Sequence, residues 1–199
     1  MRELIPAVGL VLAGAVVVWQ QPATTAEPEP PAPAQAETPV VAAPAPAATQ
    51  ARSRPASVPT RVRIPSLGVD AAVDPVSPHG TELDPPADPA RVGWWAQGSR
   101  SGARHGATLL TGHTVRSGGG AFDHLEDLAP GDRVTVDGLR GASSYVVETV
   151  ETMPRAELAE RSGELFGQQG PHRLVMVTCE DWDGAAWRSS VVVVARPAR

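Results

Sequence analysis

Three residues could together do acyl-transfer chemistry: Cys179, His113 and Arg188. Cys179 is the only cysteine of the chain and ends the apolar run Leu174–Cys179, which reads as a strand. An acidic turn, Glu180-Asp181-Trp182-Asp183-Gly184, is expected directly after it. A second strand then opens near Arg188 and runs into Val191–Val194. A thiolate is a nucleophile that can also leave again, as peptide-bond transfer without a metal requires. An arginine on the neighbouring strand can stabilise the anion that develops on a carbonyl. No base lies nearby in sequence; the best candidate is His113, in Thr111-Gly112-His113-Thr114. It can pair with the thiolate and later protonate a leaving amine. Thr178 precedes the thiol and points to the opposite strand face, which suits a positional role. Without further context, a lone cysteine in an apolar strand is more often a small buried hydrophobe.

The elements that must position these groups lie in the second part of the chain. Leu4–Trp19 is nearly unbroken apolar sequence, slightly short of the roughly 20 residues that span a bilayer. Residues 1–21 therefore read as a signal-anchor or a cleaved signal peptide, with no convincing cleavage site immediately after them. Residues 22–59 are rich in Pro, Ala, Glu and Thr and lack periodicity, the composition of a disordered, polyproline-stiffened linker. A folded domain is expected over residues 60–199. Strand patterns fall at Arg61–Ile64, Val69–Val76, Val92–Ala96, Ala107–His113, Arg133–Val136, Tyr145–Met153, Leu174–Cys179 and Trp187–Ala195. Phe122–Leu128 and Pro154–Arg161 read as short helices. About eight short strands with two or three minor helices predict a mainly β fold, a closed or nearly closed barrel.

Bulk properties narrow the function classes. The chain has 199 residues and a formal net charge of −5, which gives no reason to expect nucleic acid. All 17 basic residues are arginine. One cysteine excludes an internal disulfide and any multi-cysteine metal site, and the five histidines show no zinc-ligand spacing. No metal or cofactor is expected. His79, His105, His124 and His172 read as surface or packing residues.

Several separated fragments, in a fixed order, resemble the sortase family of cysteine transpeptidases from the Gram-positive cell surface. They are Arg63-Ile64-Pro65-Ser66-Leu67-Gly68-Val69, Leu109-Leu110-Thr111-Gly112-His113, the Phe122–Leu128 stretch with Pro130-Gly131-Asp132, and Val177-Thr178-Cys179. The resemblance covers nearly all of residues 61–195. Leu83-Asp84-Pro85-Pro86 and Val92-Gly93-Trp94-Trp95 are most similar to the actinobacterial class F group. The resemblance implies a sortase-like eight-stranded barrel held outside the cell membrane, on the cell-wall side, by the N-terminal helix. It implies Cys179 as nucleophile, His113 as its partner and Arg188 as the third member. Thr178, Trp94 and Trp95 are the candidate substrate-binding residues; for the two tryptophans packing in the core or at the rim is the first reading and a place lining the peptide groove the other. The resemblance implies cleavage of a Leu-Pro-X-Thr-Gly-like sorting signal between Thr and Gly. The acyl group then passes to an amine on peptidoglycan or on another protein.

Two other readings stand beside this one. A cysteine peptidase that only hydrolyses is disfavoured by order, because papain-like enzymes place the cysteine before the histidine and at a helix start. A non-catalytic surface-binding domain on a sortase-like barrel is kept open by two features. The acids after Cys179 would disfavour a thiolate, and the Cys179-to-Arg188 segment is short.

Overall fold

The computed structural model describes residues 55–199 except 81, 183, 185 and 186. The expected N-terminal anchor or signal peptide (1–21) and most of the expected linker lie outside the described residues. Among the described residues, no helix is long and apolar enough to cross a membrane.

Among the described residues there are eight strands: β1 (Pro59–Ile64), β2 (Val69–Val76), β3 (Val92–Trp95), β4 (Ala107–Thr111), β5 (Arg133–Gly138), β6 (Gly141–Pro154), β7 (Arg173–Trp182) and β8 (Trp187–Pro197). They close into a barrel in the order β1-β2-β3-β4-β7-β8-β6-β5. Closure leaves no sheet edge unpaired. Six of the eight neighbouring pairs are antiparallel; β2–β3 and β4–β7 are parallel.

Strand alternation sorts the side chains onto two faces. Inward residues from every strand, among them Val62, Ala71, Val92, Leu110, Val134, Tyr145, Leu174 and Val191, form the main core. A second, smaller core lies outside the barrel wall, where Leu109, Met153, Val175 and Val192 meet Leu158, Leu165 and Phe166 around the helix α1 (Arg155–Leu165). Strand β4 is therefore covered on both faces, and all five of its residues are buried. That is why Ala107–Thr111 reads as a continuous apolar run rather than an alternating one.

Three expectations need correction. The linker does not last to residue 59. Ser57 is buried, its N–H donates to the Ser101 carbonyl at 2.9 Å, and its hydroxyl accepts the Arg140 N–H at 2.8 Å. Phe122–Leu128 is a series of turns ending in a 3-10 turn at Leu125–Asp127, not an amphipathic helix. Its apolar residues repeat every third position, the 3-10 period, and Phe122, Leu125 and Leu128 all enter the core. The acidic stretch after Cys179 does not turn at once: β7 continues to Trp182 and pairs with β8 through Trp182↔Trp187. Cys179 thus lies inside a strand, paired with Ser190 of β8.

Candidate active site

Register brings the two chemistry-bearing strand ends together. Parallel β4 and β7 align Thr111 with Val177, and the Gly112 N–H donates to the Val177 carbonyl at 3.1 Å. His113 follows that bond by one residue, just beyond the end of β4, on the side of β7 that carries Cys179. The intervening positions form a hydroxyl clamp. Thr178 is 2% exposed; its Oγ1 donates to the Gly112 carbonyl at 3.0 Å and accepts from Thr114 Oγ1 at 2.7 Å. The reading of Thr178 as a substrate contact is therefore corrected: its hydroxyl is engaged within the protein, binding the two strands to each other.

On the other flank, Cys179 lies opposite Ser190 of antiparallel β8, and Thr178 lies opposite Val191. Val191 belongs to the barrel interior and Val192 to the outer cluster. Cys179 and Ser190 therefore face outward. Arg188 is two residues from Ser190 and shares that outward face, diagonal to Cys179. Arg188 is exposed and Cys179 half-buried. Gly112 has a packing reason to be glycine: a Cβ there would lie 2.5 Å from the Phe122 ring.

The two tryptophans separate across the barrel wall. Trp94 points into the core, is 4% exposed, and donates its indole N–H to the Ser99 carbonyl at 3.2 Å. It is a core packing residue, the first of its two readings, and not a residue lining the groove. Trp95, next along β3, faces outward and packs with the outer cluster alongside Leu83 and Val177.

Residues that the sequence reading gave no role complete the surroundings. The segment Glu82–Arg91, between β2 and β3, runs over the outer face. Its Pro86 carbonyl accepts a hydrogen bond from His113 Nε2 at 2.8 Å. Glu82 pairs with Arg155, the first residue of α1, at 3.1 Å. Burial pushes the Cys179 thiol above its ordinary pKa. The positive charge of Arg155 opposes that shift, and Glu82 and Asp84 add to it. Two acids of the β2–β3 connection, Glu82 and Asp84, thus act on the thiol. The Leu83-Asp84-Pro85-Pro86 run was visible as a motif but carried no sign of its target, and Arg155 had no local signal at all.

Among the described residues, one group could offer a metal ion several ligand atoms: His124, Glu126 and Asp127, within 4.8 Å of one another. All three are exposed on the 3-10 turn, and His124 Nδ1 lies 3.5 Å from Asp127, an ordinary contact within a solvated turn.

The closed barrel is the fold seen in solved sortases. It is similar to sortase C-1 from Actinomyces oris, with a TM-score of 0.53 at 22% identity, covering 70% of this chain and 73% of that one. It is similar to sortase A from Listeria monocytogenes, with a TM-score of 0.56 at 17% identity, covering 73% and 89%. Sortase A from Corynebacterium diphtheriae gives 0.55 at 17% identity, covering 73% and 62%. A search of curated proteins finds no match. The sortase domain model matches residues 62–198, and the chain belongs to that family, whose members are generally cysteine transpeptidases.

Proposed function

We propose that the protein is a cell-surface transpeptidase in which Cys179 is the nucleophile, His113 its proton partner and Arg188 the oxyanion donor. The Cys179 thiolate attacks the Thr carbonyl of a Leu-Pro-X-Thr-Gly-like signal. The C–N bond to glycine breaks as His113 protonates the leaving amine. A second amine, on peptidoglycan or on a protein, then displaces the thiolate from the thioester. The observation that carries this reading is the strand pairing: the Gly112 N–H to Val177 carbonyl bond brings the residue before His113 alongside β7, and Cys179↔Ser190 places Arg188 two residues away on the neighbouring strand. An oxyanion donor of this kind is typically worth about 3–4 kcal/mol in the transition state. The Leu83–Pro86 loop and the tryptophan pair support a place in the actinobacterial class F group. The apolar Leu4–Trp19 stretch supports attachment to the membrane with the barrel on the cell-wall side.

Intact-mass spectrometry of the full-length protein with a Leu-Pro-X-Thr-Gly peptide library and triglycine tests this. The expected result is a thioester adduct and a triglycine-transferred product, both lost in Cys179→Ala. His113→Ala and Arg188→Ala should each reduce transfer by orders of magnitude while the domain stays folded; near-normal turnover in Arg188→Ala would remove its assigned role. Cleavage with water and never with an amine would make the protein a hydrolase. A folded protein that forms no adduct and resists alkylation would be a binding module.

A further inference from the structure

Parallel neighbours cannot be joined by a tight turn, so the chain between β2 and β3 must travel back along the sheet before it re-enters. Strand β2 leaves at Val76, beside Trp95, and β3 starts at Val92, beside Val73. The return segment crosses the outer face toward the end of the sheet where Gly93 pairs with Thr111, two residues before His113. It is pinned along its length. Leu83 packs into the outer cluster, the Pro89 carbonyl accepts the Ala121 N–H at 2.8 Å, and Arg91 makes a two-pronged ion pair with Asp74. The Glu82–Arg155 pair ties its leading end to α1.

The contact between the Pro86 carbonyl and His113 Nε2 has a definite polarity. A backbone carbonyl can only accept, so Nε2 must carry the hydrogen. In neutral His113 the other nitrogen, Nδ1, is then bare. We propose that the Pro86 carbonyl is a positioning group for the transfer reaction. It holds His113 as the Nε2–H tautomer, so that Nδ1 exchanges the proton, and the Glu82–Arg155 pair keeps the segment where it can do so. The proton balance is simple. The Cys179 S–H bond breaks and an Nδ1–H bond forms, giving thiolate and imidazolium. Nδ1 later passes that proton to the leaving amine, while Nε2–H stays on Pro86 throughout. A ring held by its far nitrogen is fixed in orientation as well as in tautomer. Pro86 acts through His113 in this scheme, while Arg155 acts through the segment it tethers and, separately, by its charge on the Cys179 thiol. The catalytic half rests on the transpeptidase reading above, whereas the tautomer does not.

The test is long-range proton–nitrogen NMR of the full-length protein with nitrogen-15 histidine, recorded at about pH 8.5, well above the ordinary histidine range. Of the five histidines, His113 is assigned by the signal lost in His113→Gln. The expected pattern is the pure Nε2–H tautomer. A pure Nδ1–H pattern, or a fast-exchanging mixture, would overturn the proposal. Arg155→Gln should release the leading end of the segment, give a mixed His113 tautomer, and lower kcat about tenfold with KM little changed. Arg155→Lys should restore most of kcat. A merely structural Arg155 would lower stability without moving the His113 nitrogen signals, and that outcome would refute the tether. The tautomer is read without peptide. A protein with the Nε2–H pattern that transfers nothing would therefore count against the transpeptidase reading and not against the Pro86 contact.

Discussion

Thr178 and Thr114 join hydroxyls at 2.7 Å, one residue before Cys179 and one residue after His113. Because the Thr178 hydroxyl donates to the Gly112 carbonyl, its oxygen is free to accept from Thr114. One buried hydroxyl thus fixes the spacing of the two strand ends that carry the chemistry. Thr178→Val keeps the shape and removes this clamp, leaving a buried carbonyl without its donor. The expected cost is about 1–3 kcal/mol in denaturant unfolding, the usual penalty for such a group. Transfer should fall as well, because the His113–Cys179 spacing is no longer fixed. Thr178→Ser, which keeps the hydroxyl, should retain most of both. Equal behaviour of the Val and Ser variants would show that the hydroxyl holds nothing.

Cys179 should alkylate slowly at neutral pH. Burial raises its pKa, Arg155 pulls it down, and Glu82 and Asp84 push it up. The rate of reaction with iodoacetamide, followed against pH, should have its midpoint above the ordinary thiol value of about 8.5. The charge variants should move that midpoint in opposite directions: Arg155→Gln upward and Glu82→Gln downward. Both variants break the same ion pair. A shift of the same sign in both would mean that the pair acts on the thiol through structure rather than charge.

Most of the strand layout was legible because strand signals are local. Val69–Val76 alternates where one face is buried, and Ala107–Thr111 is continuous where both are. The sortase resemblance named a histidine strand and a cysteine strand; Cys179 falls on β7, whereas β4 stops at Thr111 and leaves His113 two residues beyond its end. What could not be read was contact between distant segments. Pro86 meets His113 across 27 residues and Glu82 meets Arg155 across 73. Neither pairing leaves a periodic trace, since a carbonyl acceptor has no residue signature and an exposed ion pair resembles any other charges. The 3-10 turn at Leu125 was misread for a related reason. A spacing of three fits one face of an α-helix almost as well, and only the closure of the core around Phe122 decides between them.

The two tryptophans should give opposite phenotypes. Trp94 fills the barrel interior, so Trp94→Ala should cost about 3–5 kcal/mol and lower the melting temperature sharply. Trp95 lies on the outer face, half-buried, with its indole N–H donating to Gln97 Oε1 at 3.0 Å. Trp95→Ala should leave the fold largely intact and raise KM for the sorting peptide. Thermal unfolding and peptide kinetics on both variants check this. A Trp95→Ala protein with unchanged KM would remove that side chain from the substrate groove.

A buried polar network at the start of β7 makes stability depend on pH. His172 is 6% exposed; its Nδ1–H donates to the Gly106 carbonyl at 3.0 Å, and its Nε2 accepts from the Tyr145 hydroxyl at 3.0 Å. The Tyr145 oxygen in turn accepts the Gly102 N–H at 2.9 Å. Burial lowers the His172 pKa and the charge of Arg173 acts the same way, while the backbone carbonyls of Gly106 and His105 oppose them. The folded protein therefore resists a proton that the unfolded chain accepts below about pH 6.5. Between the folded and unfolded values the unfolded state holds more protons, so stability rises with pH across that window and falls on acidification through it. His172→Gln can still donate and accept in the same place but cannot ionise. It should be less stable than the native protein near neutral pH, by about 1–2 kcal/mol for imperfect hydrogen bonds. That gap should narrow as the pH drops below about 6.5, because only the native protein carries the linkage. Urea unfolding of both proteins from neutral to acidic pH measures the gap, and a gap that stays constant would show that His172 does not titrate with folding.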